Sequence, residues 1–108
     1  MKFRFYENCR VEKIVDGDTV DLLIDVGFFV FTKVRIRLGR INAPEAETTA
    51  GKLSKSQLSA LCLGAEIKLI CQGRDKYGRW IGDLIRKTDD LDINEEMVRL
   101  GCAVSVKY

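Results

Sequence analysis

Val34, Ile36 and Leu38 alternate with Arg35 and Arg37, so a strand here sends one face to a core and presents guanidiniums on the other. Upstream, Thr19 to Ile24 is rich in β-branched residues and reads as a strand, with Arg10 to Ile14 as a shorter extended run before it. Asp16-Gly17-Asp18 between them is a turn, because glycine tolerates a positive φ and aspartates bond nearby backbone donors. Asp25-Val26-Gly27 predicts the next hairpin turn, and Phe28-Phe29-Val30-Phe31 resumes the extended pattern. Ile41 to Gly51 reads as a loop in which Pro44 keeps Ala43 out of the helical region. The period then lengthens. Leu58, Leu61 and Cys62 share one face of a helix predicted over Ser54 to Leu63, which Gly64 closes.

Ala65 to Cys71 alternates again as a strand, Asp75 to Gly78 is a turn, and Trp80 to Ile85 is the returning partner. Asp92 caps a last short helix, with Glu95 at capping-box spacing. Its stripe is Ile93, Met97 and Leu100, Gly101 ends it, and Ala103 to Tyr108 is a tail or edge segment. Five short strands, with one helix after the third and another after the fifth, favour a mainly β fold with two to three helices. A small closed or partly closed barrel, such as the five-stranded oligonucleotide-binding (OB) barrel, fits that order. Phe3, Phe5, Phe28, Phe29 and Phe31 read first as barrel filling or hairpin packing. Phe28 and Phe29 are adjacent, so a regular strand would point one ring outward, toward a base, a partner or a second copy of the chain.

A length of 108 residues limits this pattern to one domain over residues 1–108 with one core. With 46% hydrophobic and 31% charged residues the composition is that of a globular chain. The net charge of +2 permits nucleic acid without demanding it, and its distribution says more. Lys33, Arg35, Arg37 and Arg40 fall in a stretch without an acid, and Arg74, Lys76 and Arg79 surround Asp75 alone, whereas Asp89, Asp90, Asp92, Glu95 and Glu96 gather near the end. Cys9, Cys62, Cys71 and Cys102 match no metal spacing, and with no histidine present they read as free thiols in a reducing compartment. The N-terminal stretch lacks the apolar run of a signal peptide, and no segment approaches the roughly 20 apolar residues of a membrane span. The expectation is a cytoplasmic protein without a membrane partner. Nothing in the chain marks its oligomeric state.

Three clusters could carry chemistry: Asp16-Gly17-Asp18-Thr19, Arg37 with Asn42-Ala43-Pro44-Glu45, and Asp75-Lys76-Tyr77-Gly78-Arg79. Phosphodiester hydrolysis needs activated water, neutralised phosphate charge, and a means of holding metal or substrate. A hard cation takes oxygen ligands, which Asp18 and Asn42 could supply. Arg37 and Arg79 could clamp phosphate with their planar forks, and Glu45 is a candidate base. Each cluster also has a plain reading as a turn, a wet strand face or loop polarity.

Their order carries more than any one of them. Val15-Asp16-Gly17-Asp18-Thr19-Val20, Val34 to Leu38 leading to Ile41-Asn42-Ala43-Pro44-Glu45, Asp75 to Arg79, and Ile93 to Ala103 together closely resemble the staphylococcal nuclease (thermonuclease-like) family over about Val11 to Ala103. The resemblance implies a five-stranded OB barrel and calcium-dependent hydrolysis of DNA and RNA that leaves 3′-phosphate ends. It implies that Asp18 ligates the ion, that Asn42 stands where a second ligating aspartate is expected, and that Ala43 contributes its backbone carbonyl. Asp16 would shape the metal environment, Glu45 would activate water, and Arg37 and Arg79 would bind phosphate. Arg35 in the basic strand, and Lys76 and Tyr77 in the basic turn, are candidate substrate contacts, with Tyr77 a weaker match to the family's substrate-binding tyrosines. Calcium is the implied cofactor, with another divalent cation as an alternative, and DNA or RNA the implied partner. Asn42 removes one negative charge from the implied metal shell, which weakens or retunes it and leaves open a catalytically weak or inactive module that binds nucleic acid or protein. The family's secreted members carry a further C-terminal helix that has no counterpart here.

Overall fold

The computed structural model describes residues 3–106. Five principal strands make the barrel: β1 (Arg4–Asp16), β2 (Thr19–Asp25), β3 (Phe31–Leu38), β5 (Glu66–Arg74) and β6 (Trp80–Arg86). Two-residue strands β4 (Ile41–Asn42), β7 (Leu91–Asp92) and β8 (Val104–Ser105) and helices α1 (Thr49–Cys62) and α2 (Ile93–Arg99) complete the described elements. The sheet runs β3-β2-β1-β5-β6-β7, and β3 also pairs with β6, which closes the barrel. That closure is parallel, from Ile36 opposite Trp80 to Leu38 opposite Gly82. β1 serves both halves of the barrel because it is long and bulged. Register shifts between Val11 and Lys13, between Ile14 and Asp16, and between Tyr6 and Cys9 bend it from β2 toward β5.

Inward positions follow the predicted alternation. Val20, Leu22 and Ile24 of β2, Ile36 and Leu38 of β3, and Ile67 and Leu69 of β5 are buried together with Val11 and Leu84. Cys9, Cys62 and Cys71 lie in the same core, and all four cysteines are free thiols. Burial pushes the Cys9 thiol up to about 11 and that of Cys62 up to about 12, so both stay neutral and unreactive at physiological pH.

The aromatic residues depart from the sequence reading. No phenylalanine is in the core: Phe3, Phe5, Phe28, Phe29 and Phe31 are all exposed. The hairpin between β2 and β3 turns later than expected. Val26 N–H donates to the Val30 carbonyl at 3.0 Å, and Phe28 and Phe29 occupy the tip with φ of 56° and 59°. Two successive left-handed residues make the turn whose twist suits a hairpin, a place that favours Asn-Gly. Phenylalanine there costs on the order of 1 kcal/mol per residue.

α1 begins earlier than the periodicity suggested. Thr48 is its N-cap and accepts the Gly51 N–H at 2.9 Å. α1 buries Gly51, Ser54, Leu58 and Cys62 along one stripe. Asp92 caps α2 as expected, its carboxylate accepting the Glu95 N–H at 3.1 Å. Asn94 is fully buried inside the capped turn. Its amide donates to the carbonyls of Gly39 at 3.0 Å and Gly82 at 3.1 Å, and its oxygen accepts the Leu84 N–H at 3.1 Å, tying α2 to the closing seam of the barrel. Of the expected tail, Val104–Ser105 pairs with β4 as an edge ribbon, and Lys107 and Tyr108 lie outside the described residues.

Candidate nuclease site

The turn at Gly17-Asp18 and the end of β3 are held side by side. Thr19 is opposite Arg37 in the β2–β3 register, and Leu38 N–H donates to the Asp18 carbonyl at 2.7 Å. Arg37 has the outward phase of its strand, yet it is only 8% exposed because the segment after β3 folds over it. One guanidinium nitrogen donates to the carbonyls of Leu38 at 2.7 Å and Ile41 at 2.8 Å. The other donates to the Asn42 side-chain oxygen and lies 3.3 Å from Asp18 Oδ2. A fork satisfied on both prongs by fixed acceptors is rigid and holds one orientation.

Asp18 is the hub. Its Oδ2 accepts the Ala43 N–H at 2.9 Å and its Oδ1 accepts the Thr19 hydroxyl at 3.1 Å. Asp18 N–H in turn donates to Asp16 Oδ1 at 3.2 Å. Burial and the adjacent Asp18 lift the Asp16 carboxyl above the usual range. Burial also pushes on Asp18, but hydrogen bonds from Asp16, the Ala43 N–H and Thr19 and the charge of Arg37 outweigh it and hold Asp18 low. One carboxylate is thereby kept anionic beside another that resists ionisation.

Gly17 permits this arrangement. A Cβ there would stand 2.0 Å from Ser54 Oγ, so the acidic turn rests directly on α1. Ser54 is fully buried and donates to the Cys102 carbonyl at 2.7 Å. Thr19 stood in the acidic cluster without a role of its own, whereas Ser54 and Asn94 carry no signal in the sequence and are recognisable only from the packing.

Asp16, Asp18, Arg37, Asn42 and Ala43 are thus brought together. Glu45 follows on the same loop with its side chain exposed. Its backbone is fixed: the Glu45 carbonyl accepts the Thr48 N–H at 3.1 Å and the Thr48 hydroxyl at 2.7 Å. A Cβ at Gly51 would stand 1.9 Å from that carbonyl oxygen. Gly51→Ala is therefore expected to displace Glu45 and destabilise the fold by about 2 kcal/mol in urea denaturation.

Arg79, Lys76 and Tyr77 sit apart on the β5–β6 hairpin. Asp75 organises the turn, accepting the N–H groups of Tyr77 and Arg79 at 2.9 Å each and Arg79 Nε at 2.8 Å. The Arg79 and Lys76 charges lie 5.1 Å and 5.3 Å from the Tyr77 ring centre. Arg79 is turned to Asp75 and makes no hydrogen bond to the Asp18 cluster. Arg79 is more than half exposed, whereas Asp75 is largely covered. Arg35 is likewise exposed and makes two hydrogen bonds to Asp21, at 2.8 Å and 3.2 Å.

Among the described residues no three His, Cys, Asp or Glu side chains form a metal cluster. Oxygen atoms of the kind a hard divalent cation takes are gathered around Asp18, in its own carboxylate, in that of Asp16 and in the Asn42 amide, with Asp18 engaged by the Ala43 N–H and the Thr19 hydroxyl and Asn42 by Arg37. A cation beside Asp16 would favour the ionised form that burial and Asp18 disfavour.

The protein is a five-stranded OB barrel, a class that includes binders of oligonucleotides and oligosaccharides, with arginine, carboxylates and an amide gathered where β2 begins and β3 ends. Residues 35–108 match the model of the staphylococcal nuclease homologue family, and the chain belongs to that family. It is 34% identical to a protein of Escherichia coli O157:H7 described as an uncharacterized endonuclease, over 87% of this chain and 58% of that protein. It is 35% identical to a Haemophilus influenzae protein of the same description, over 92% of this chain and 52% of that one. A Shigella flexneri micrococcal nuclease is 30% identical over 92% of this chain and 58% of its own length. The chain therefore spans somewhat more than half the length of these relatives.

Proposed function

We propose that this chain is a metal-dependent phosphodiesterase that cuts DNA or RNA internally. The observation that carries the reading is the clamped Arg37, buried beside Asp18 and Asn42 on the strand that leads into the loop bearing Glu45. Asp18, Asn42 and the Ala43 carbonyl would hold calcium or another divalent cation, with Asp16 shaping the charge around it. The ion's chemistry there is Lewis-acid polarisation of the phosphate. Arg37 neutralises charge developing on the phosphate from a fixed position, and Arg79 joins it by leaving Asp75. Glu45, exposed at the loop, takes a proton from the attacking water. Arg35, Lys76 and Tyr77 hold the flanking nucleotides.

Cleavage of end-labelled single-stranded DNA and RNA in calcium, magnesium, manganese or EDTA tests this. The expected result is metal-dependent cutting that leaves 3′-phosphate ends and falls at least about 100-fold in Glu45→Ala. No cutting in any metal by the folded protein would overturn it.

A specific feature favours a second reading, a module that binds without cutting. Asn42 spends its oxygen on Arg37, and both oxygens of Asp18 are already engaged. Asn42→Asp restores a charge to the shell and is expected to tighten metal binding by about 10-fold in calorimetry, or about 1.4 kcal/mol. Unchanged affinity would remove Asn42 from the metal site.

A further inference from the structure

The barrel closes over only part of β3. β6 pairs with it from Ile36 to Leu38, and before Ile36 no strand among the described residues lies on that side. The open stretch runs from Phe31 to Arg35. Val26 N–H donates to the Val30 carbonyl and Leu38 N–H to the Asp18 carbonyl, at the two ends of the β2–β3 ladder. Bonded pairs alternate in an antiparallel ladder, so Thr32 and Val34 bond to β2. Phe31, Lys33 and Arg35 therefore turn their backbone N–H and C=O groups to the open side. An edge of this kind is a template for another strand. Apolar surface lies beside it. Tyr6, Val26, Thr32, Val34 and Trp80 line a mouth of about 150 Å³ under the edge. The β2–β3 hairpin continues past Trp80 to its tip, where Phe28 and Phe29 are 97% and 99% exposed on left-handed backbone that favours other residues. A fully buried ring covers about 150–250 Å², so Phe28 and Phe29 with the exposed halves of Phe31 and Trp80 offer about 450–750 Å² per copy. Val26 and Val30, each about half exposed, bring this near the roughly 800 Å² per partner of a stable interface.

We propose that this edge of β3 pairs antiparallel with the same edge of a second copy, about a twofold axis at Thr32. Antiparallel pairing of an edge with itself is closed by a twofold, so it ends at two copies. Charge sets the register. An axis at Lys33 would place the two lysines directly opposite each other, which is unfavourable. An axis at Thr32 places Thr32 on Thr32 and Val30 on Val34, and brings the Lys33 ammonium over the Phe31 ring of the second copy. Lys68 already makes that kind of contact with Phe5, 5.6 Å from the ring centre. The same axis carries the tip of each copy to where β6 of the other begins. Phe28 and Phe29 of one copy then cover Trp80 and the mouth of the other. The pairing goes beyond the nuclease reading, and no residue of the Asp18 cluster takes part in it.

Sedimentation velocity of the protein in EDTA, without nucleic acid, from about 1 to 200 µM tests this. The parent is expected to pass from monomer to dimer with a Kd of about 1–50 µM. Trp80 is the single tryptophan, so its emission should move to shorter wavelength over the same range as the second copy covers it. Thr32 is exposed, so the monomer tolerates a charge there. Thr32→Glu and Thr32→Lys are each expected to weaken the dimer at least about 10-fold, because like charges meet on the axis. An equimolar mixture of the two is expected to recover it. Phe28→Asn combined with Phe29→Gly, the residues the tip backbone prefers, should weaken the dimer about as much while resisting urea at least as well as the parent. A parent that stays monomeric across the range overturns the proposal. So does a dimer that neither Thr32 variant weakens, or one that the mixture fails to recover. Association that appears only when an oligonucleotide or anionic vesicles are added would assign the edge to that occupant and overturn it as well.

Discussion

Arg37→Ala is expected to lower turnover about 100- to 1,000-fold while weakening oligonucleotide binding only a few-fold. The difference follows from where the side chain is. A guanidinium held by the Leu38 and Ile41 carbonyls cannot swing to follow substrate, so its interaction is strongest at the geometry it is fixed for. Removing it also strands the acceptors it serves and leaves the largely buried Asp18 carboxylate without its cation, for an expected loss of about 3 kcal/mol in urea denaturation. Arg37→Lys returns charge without the fork, and should recover part of the stability and little of the turnover. Equal losses in turnover and binding would point to the module that binds without cutting.

Gly17→Ala is the second large effect. The added methyl would meet Ser54 Oγ at 2.0 Å and the Ala43 Cβ at 2.8 Å, so the acidic turn must leave α1 or the Ala43 loop must move. Either movement separates Asp18 from the Ala43 N–H that it binds at 2.9 Å. An expected destabilisation of about 3 kcal/mol should accompany a loss of cleavage. Ser54→Gly in the same chain opens space and is expected to restore part of both, as measured by urea denaturation and end-labelled cleavage. Failure of that double variant to recover any stability would show that the contact with Ser54 is not the source of the loss.

The sequence made the Asp-Gly-Asp turn, the Asp92 cap and the inward alternation of β2 and β3 legible, because each follows from local rules. α1 hid its first turn because Thr-Thr-Ala-Gly reads as loop. Glycine is a poor helix former, and it stands at position 51 because the Glu45 carbonyl leaves no room for a Cβ. The phenylalanines misled for a related reason. Hydrophobicity argues for burial, but the hairpin turns at Phe28 and Phe29 rather than before them, and aliphatic residues fill the barrel without help. The burial of Arg37 was illegible in its strand pattern: alternation placed it outside, and the fold-back of Ile41 to Ala43 covered it. The family resemblance had singled out the cluster residues, but only the folded chain shows Asn42 and Asp18 as partners of one guanidinium.

The closing seam has a temporal consequence. Hairpins β1–β2, β2–β3 and β5–β6 join near neighbours in the chain, whereas the β1–β5 pairing and the Ile36–Trp80 seam each join segments far apart in it. Loop-closure entropy makes such long-range contacts late events in folding, and of the two the seam is the shorter, with three residue pairs. Arg37 occupies the middle pair, opposite Ile81, and Arg79 lies just before the strand on the other side. The Asp18, Arg37 and Asn42 cluster is joined within β2, β3 and the loop after them, while Arg79 reaches its place beside β3 only when this seam closes. A phosphate gripped by both arginines would act as a clasp across that seam, so that the occupied protein springs open more slowly than the empty one.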